Sequence, residues 1–181
     1  MKFDKYLTLF DEILTPGYNT PPYDNPDFIQ YTKLNSSRMN RWLKKGDLLP
    51  ELVEKLELLG PQRWILITEP WCGDASHIVP FMKMMASVND KINLEIQLRD
   101  SEPFLIDQYL TNGGKSIPIL VVRDENDQDL FVWGPRPKAC QGLLVAKKEE
   151  GMLMENIKKE LQQWYNKDKG ASIQQEFLAL L

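Results

Sequence analysis

Apolar side chains open the chain at helical spacing: Phe3, Tyr6, Leu7, Phe10, Ile13 and Leu14 fall at i, i+3, i+4, i+7, i+10 and i+11 and make one stripe. Thr15-Pro16-Gly17 ends that stripe, and the stretch to Pro26, with Pro21-Pro22, predicts an extended surface connection. Asn25 and Pro26 supply an N-cap and a first-turn proline for a second helix carrying Phe28, Tyr31, Leu34, Met39, Trp42 and Leu43. A third, short helix runs from Pro50 to about Leu59 and stops at Gly60-Pro61.

From Arg63 the pattern changes. Arg63 to Thr68 is a short run of apolar and β-branched residues, which reads as a buried strand. Ile78, Phe81, Met82 and Met85 then recur at helical spacing up to about Val88, with Pro80 expected to kink the helix. Ile92, Leu94, Ile96 and Leu98 alternate with polar partners as a strand, and Phe104 to Leu110 reads as a short helix before Asn112-Gly113-Gly114. Ile119–Arg123 and Leu130–Trp133 flank a polar link of hairpin length. The remainder is helical, broken at Gly170 and restarting at Ser172, whose Gln175 suggests a capping box. This order predicts an α/β sandwich with a mixed sheet in one compact unit over 62–181, with residues 1–61 as a helical extension packed on it.

Composition narrows the function classes. A chain of 181 residues, 43% hydrophobic, can bury a sizeable core. Its net charge of −4 and interrupted lysine pairs argue against nucleic acid or an anionic membrane as partner. No apolar run is long enough to span a bilayer and the N-terminus is amphipathic, so a cytoplasmic location is expected. Two cysteines, Cys72 and Cys140, are too few for a disulfide scaffold or a structural zinc site, and no metal or cofactor is expected.

The chemistry centres on Glu69-Pro70-Trp71-Cys72-Gly73-Asp74-Ala75. Cys72 sits where a strand gives way to a helix, and the unpaired N–H groups and partial positive charge of a helix start favour thiolate, the nucleophilic form. Asp74, two residues on, acts the other way.

These features together resemble the thioredoxin superfamily, in which a strand delivers W-C-G-P-C to a helix with a proline five residues past the second cysteine. Trp71, Cys72, Gly73 and Pro80 match those positions, and Ser116-Ile117-Pro118-Ile119 matches the family's cis-proline segment. Gly134 matches the glycine after the hairpin, so the likeness covers about Arg63 to Gly134. The resemblance implies a thioredoxin-like fold, with Cys72 as the reactive group and Trp71, Gly73, Asp74, Ile117 and Pro118 as the substrate-binding surface. The departures are as informative. Ala75 stands where the resolving cysteine would be, Asp74 replaces the motif proline, and the buried aspartate position falls on Leu66. A two-thiol cycle within the motif is therefore impossible. The sequence is also similar to uncharacterised bacterial thioredoxin-like proteins with W-C-G-D-A at this place.

What the resemblance leaves is monothiol exchange. Cys72 attacks or receives a disulfide, the backbone beside Pro118 aligns the substrate in extended form, and an external thiol such as glutathione or bacillithiol resolves the product. The partner is then a protein disulfide or a low-molecular-weight thiol. The competing reading is a redox-inactive binding module for an extended peptide or partner protein, and a cluster shared between two copies through Cys72 is a third. Other residues read more plainly: Cys140 as a small buried side chain, His77 as a surface or partly packed residue, and Glu69 as a solvated carboxylate rather than a proton relay. Arg38 and Arg41, three apart on a helix, could hold an anion such as the carboxylates of a small thiol, but salt bridges to nearby acids are the expectation.

Overall fold

The strand that delivers the cysteine motif is the centre of the molecule. In the computed structural model, which describes all of residues 1–181, β1 (Gln62–Thr68) lies between β2 (Ile92–Leu98), its parallel neighbour, and β3 (Ile119–Arg123), its antiparallel neighbour. β4 (Asp129–Trp133) pairs antiparallel with β3, giving the order β2-β1-β3-β4. A strand inside a sheet that is covered on both faces has no polar side to present, and Trp64 through Thr68 are accordingly all buried. The edge strand β4 keeps Leu130 and Val132 exposed. The outer edge of β2 is met by Met1, whose ammonium donates to the Ile96 carbonyl at 2.6 Å and whose carbonyl accepts from the Ile96 N–H at 2.8 Å.

Seven α-helices surround this sheet. α1 (Phe3–Ile13) buries Phe3, Tyr6, Phe10 and Ile13, the stripe that the spacing predicts. α2 (Pro26–Lys45) starts at Asn25, whose side chain accepts from the Asp27 N–H at 3.0 Å. α3 (Pro50–Glu57) buries Leu52 and Leu56. α4 (Ala75–Ala86) follows the motif and contains Pro80. It packs on β1 and β2 and carries α2 along its length. α5 (Lys138–Glu149), α6 (Met154–Asp168) and α7 (Ala171–Leu180) complete the chain. Phe177 of α7 meets Trp64, Phe131 and Trp133 with ring centroids 5.7, 6.1 and 5.7 Å away, so α7 covers one face of the sheet. One hydrophobic cluster joins Phe3, Tyr6, Phe10, Met39 and Trp42 of the first helices to the sheet and to α4. No helix is long and apolar enough to cross a membrane.

Two local expectations are corrected. The segment Phe104–Leu110 forms only a 3-10 turn, Leu105–Gln108, because Ile106 is its single buried residue and so small an apolar face does not hold a longer helix. The capping box at Ser172 does not form. α7 begins after Gly170, in the left-handed region at φ +80°, and Ser172 instead lies inside the helix. Its N–H and hydroxyl both bond the Asp168 carboxylate, the N–H at 3.2 Å, so a side chain from the preceding helix does the capping. A Cβ at Gly170 would run into the Phe81 ring, which fixes glycine at that turn.

Candidate functional site

The motif loop is tied down at both ends by hydrogen bonds that do not involve the sulfur. The Cys72 N–H donates to the Glu69 carbonyl at 3.1 Å, the Ser76 N–H to the Cys72 carbonyl at 3.3 Å, and the Ser76 hydroxyl to the Gly73 carbonyl at 2.7 Å. From α2, the Asn35 side-chain amide donates to the Pro70 carbonyl at 3.0 Å. A segment so braced presents Cys72 in one geometry.

That geometry favours the thiol. Cys72 is 7% exposed, and its S–H donates to the Ile117 carbonyl at 3.4 Å, a bond only the protonated form can make. Burial pushes its pKa from an ordinary 9.0 up to about 12, and the Asp74 carboxylate adds to the rise. The amides of Ala75 and Asp74, at the start of α4, and the Arg136 guanidinium act in the opposite direction but more weakly. The thiolate predicted from the helix start is thus overridden: in a site closed to water, desolvation outweighs a helix terminus.

Asp74 itself is held by two groups from the C-terminal half. Arg136 Nη2 donates to Oδ2 at 2.5 Å and the Tyr165 hydroxyl to Oδ1 at 2.9 Å. The same Arg136 reaches Gln141 through Nη1 at 3.2 Å, while its Nε is buried without a partner. Cys140, the other free cysteine, is fully buried beside Tyr165, and burial lifts its pKa to about 12 as well.

His77 is not at the surface. It is 2% exposed, its Nδ1 accepts from Trp42 Nε1 at 2.9 Å, and its Nε2 is 2.7 Å from Gln162 Oε1. Its ring stacks on Tyr165 at 4.5 Å with an interplanar angle of 4°. Burial pulls its pKa down from 6.5 to about 4, so at neutral pH it is an uncharged linker between α2 and α6 that donates to Gln162. The cause lies in the two helices that pack over α4, whose rings enclose the imidazole from outside the motif.

Glu69 is likewise buried, at 5% exposure, rather than solvated. The Asp100 N–H donates to it at 3.1 Å, yet burial still raises its pKa from 4.5 to about 7. Trp71 is half-buried between the edge of Phe28, 5.4 Å away, and the Arg99 guanidinium, 4.6 Å above its ring.

The opposite wall is Ile117-Pro118, joined by a cis peptide bond. The Ile117 N–H has no acceptor within the chain. Gly134 follows β4 at φ +125°, and a Cβ there would collide with the Pro118 carbonyl, so the glycine lets two backbone segments close on each other. Trp71, Cys72, Gly73, Asp74, Ile117 and Pro118 are therefore neighbours around one sulfur. Sequence reasoning missed Arg136, Tyr165, Gln162 and Asn35. They lie in elements beyond the motif, and Tyr165 in particular is indistinguishable by spacing from its core-filling companions Ile157 and Leu161 on α6.

No group of three or more His, Cys, Asp or Glu side chains is placed to hold a metal ion. A family model described as thioredoxin matches residues 23–170. A crystal structure of a protein of unknown function from Pseudomonas aeruginosa is similar to this chain with a TM-score of 0.58 at 16% identity, over 99% of this chain and 96% of that one. An HIV epitope-scaffold crystal structure is similar with a TM-score of 0.56 at 17% identity, over 99% and 97%. At such identities the likeness is one of fold. No curated protein matches the sequence.

Proposed function

Since the chain belongs to the thioredoxin family, we propose that it acts as a thioredoxin-fold binding module, holding an extended segment of a partner protein against Ile117 and Pro118 with Cys72 as a resting, protonated thiol. The observation that carries this reading is the pairing at Ile117: its carbonyl is occupied by the Cys72 S–H, and its N–H is left without an acceptor beside the closed sulfur. A backbone donor with no internal partner is matched by the carbonyl of an extended chain. Trp71 supplies apolar surface next to Cys72, and Gly73 places no side chain beside the sulfur.

Amide chemical-shift mapping with an extended hexapeptide tests this. Binding that shifts the Ile117 and Gly73 amides and is unchanged by Cys72→Ser supports the module, and absence of any shift at Ile117 removes it.

One observation favours the second reading, monothiol exchange with a protein disulfide or low-molecular-weight thiol. The amides of Ala75 and Asp74 and the Arg136 guanidinium all favour the thiolate form of Cys72. The Cys72 thiolate would then displace one sulfur of a disulfide, forming a mixed disulfide and releasing the other half as a thiolate, and an external thiol would reverse the bond. An intact-mass adduct on Cys72 that Cys72→Ser abolishes and Cys140→Ser leaves unaltered would establish this reading.

A further inference from the structure

The chain has six arginines, and four of them are paired with carboxylates: Arg63 with Glu95, Arg99 with Asp100, Arg123 with Asp129 and Arg136 with Asp74. Arg38 and Arg41 are not, contrary to the salt bridges expected for them. Arg38 donates to Asn35 Oδ1 at 3.1 Å and Arg41 to Asn166 Oδ1 at 2.6 Å, both neutral amides. Arg38 is half-buried, and its pKa is lowered by burial and by the neighbouring Arg41 cation. Lys158 of α6 lies over the Tyr31 ring at 5.2 Å and forms no salt bridge either. Arg38 and Arg41 thus differ from the other four arginines in meeting neutral amides in place of carboxylates, which leaves their charge for a partner.

The place of that face matters. Asn35, which bonds Arg38, also bonds the Pro70 carbonyl of the motif loop. Gln162 lies beside Gly73, 3.5 Å from where a Cβ would stand, and Asn166, which holds Arg41, is one helical turn further along α6. Arg38 is thus one side chain, Asn35, away from the motif loop, and Arg41 is held one turn from the Gln162 that lies beside Gly73.

We infer that Arg38 and Arg41, assisted by Lys158, form a carboxylate-binding face, and that the segment captured at Ile117 carries acidic side chains. The inference rests on the binding-module reading and names the chemistry of the partner. Each guanidinium offers a fork of donors to a carboxylate, while the amides now bonded to them hold the forks in position without neutralising them.

The test uses an alternating valine–glutamate hexapeptide and its valine–glutamine counterpart against the full chain, followed through backbone amides and arginine Nε–H signals. The glutamate peptide is expected to shift Ile117, Gly73 and the Nε–H of Arg38 and Arg41, and its binding should weaken at least tenfold in R38Q/R41Q and with added salt. The R38K/R41K variant should recover part of that loss, and Lys158→Gln should cost two- to threefold. Equal binding of both peptides with shifts at Ile117 overturns the carboxylate face and leaves the capture reading standing. Shifts at the two arginines without any at Ile117 keep the carboxylate face and remove the capture reading. No arginine shift with the glutamate peptide overturns the inference outright.

Discussion

Reaction of Cys72 with an aromatic disulfide separates a resting thiol from an active one by a rate. A thiol whose pKa rises from 9.0 to about 12 loses about a thousandfold of its thiolate at neutral pH. The more basic thiolate is a better nucleophile, and with a Brønsted slope of about 0.45 that returns about twentyfold. The net expectation is a Cys72 about fiftyfold slower than the same cysteine in urea-unfolded protein. Asp74 is the second cause of the rise, and Asp74→Asn removes its charge while freeing the Arg136 cation beside the sulfur. That variant should react about three- to tenfold faster than the parent. The assay is absorbance of the released aromatic thiol on a Cys140→Ser background from pH 6 to pH 11. The rate should keep climbing with pH past 9. A folded protein that reacts as fast as the unfolded chain, or whose rate levels off below pH 9, refutes the reasoning.

Other residues give independent readings. Glu69 has a folded pKa raised from 4.5 to about 7, so the folded state holds the extra proton and its stability falls as pH rises from 4.5 through 7. Glu69→Gln should therefore stabilise the protein at pH 8 by up to about 3 kcal/mol and change little at pH 4, read from urea unfolding. His77 runs the other way: its folded pKa of about 4 lies below 6.5, so stability is lost as pH falls from 6.5 through 4. His77→Phe should abolish that acid-side loss, and the wild-type imidazole carbon shifts should show no titration above pH 5. Gly134→Ala should destabilise the fold by about 2 kcal/mol or more through strain at φ +125° and the collision with Pro118, measured by thermal unfolding.

The sequence carries the fold well because the fold is made of periodic signals. The stripe of α1, the Asn25-Pro26 start of α2 and the alternation of β2 each depend on neighbours a few residues apart. Trp71, Gly73 and Pro118 were singled out through the resemblance to the thioredoxin superfamily, and Ile117-Pro118 meets Cys72 through the Ile117 carbonyl. What escaped is the electrostatic state of the site. Asp74 is answered by Arg136 and Tyr165, 62 and 91 residues away, and His77 by Trp42 and Gln162, 35 and 85 residues away. Neither relation leaves a local pattern. Glu69 is next to a strand end that water usually reaches, and only the tertiary packing encloses it.

Whether partner binding needs the sulfur separates a binding module from a thiol exchanger most directly. A titration of the valine–glutamate hexapeptide into wild type and Cys72→Ser, followed at the Ile117 amide with intact mass recorded on the same samples, measures both at once. A binding module gives equal affinities, shifts at Ile117 and Gly73 in both proteins, and, after challenge with a small-molecule disulfide, no more adduct on Cys72 than on Cys140. Loss of the Ile117 shifts in Cys72→Ser, together with a preferential adduct on Cys72 of the wild type, would contradict it.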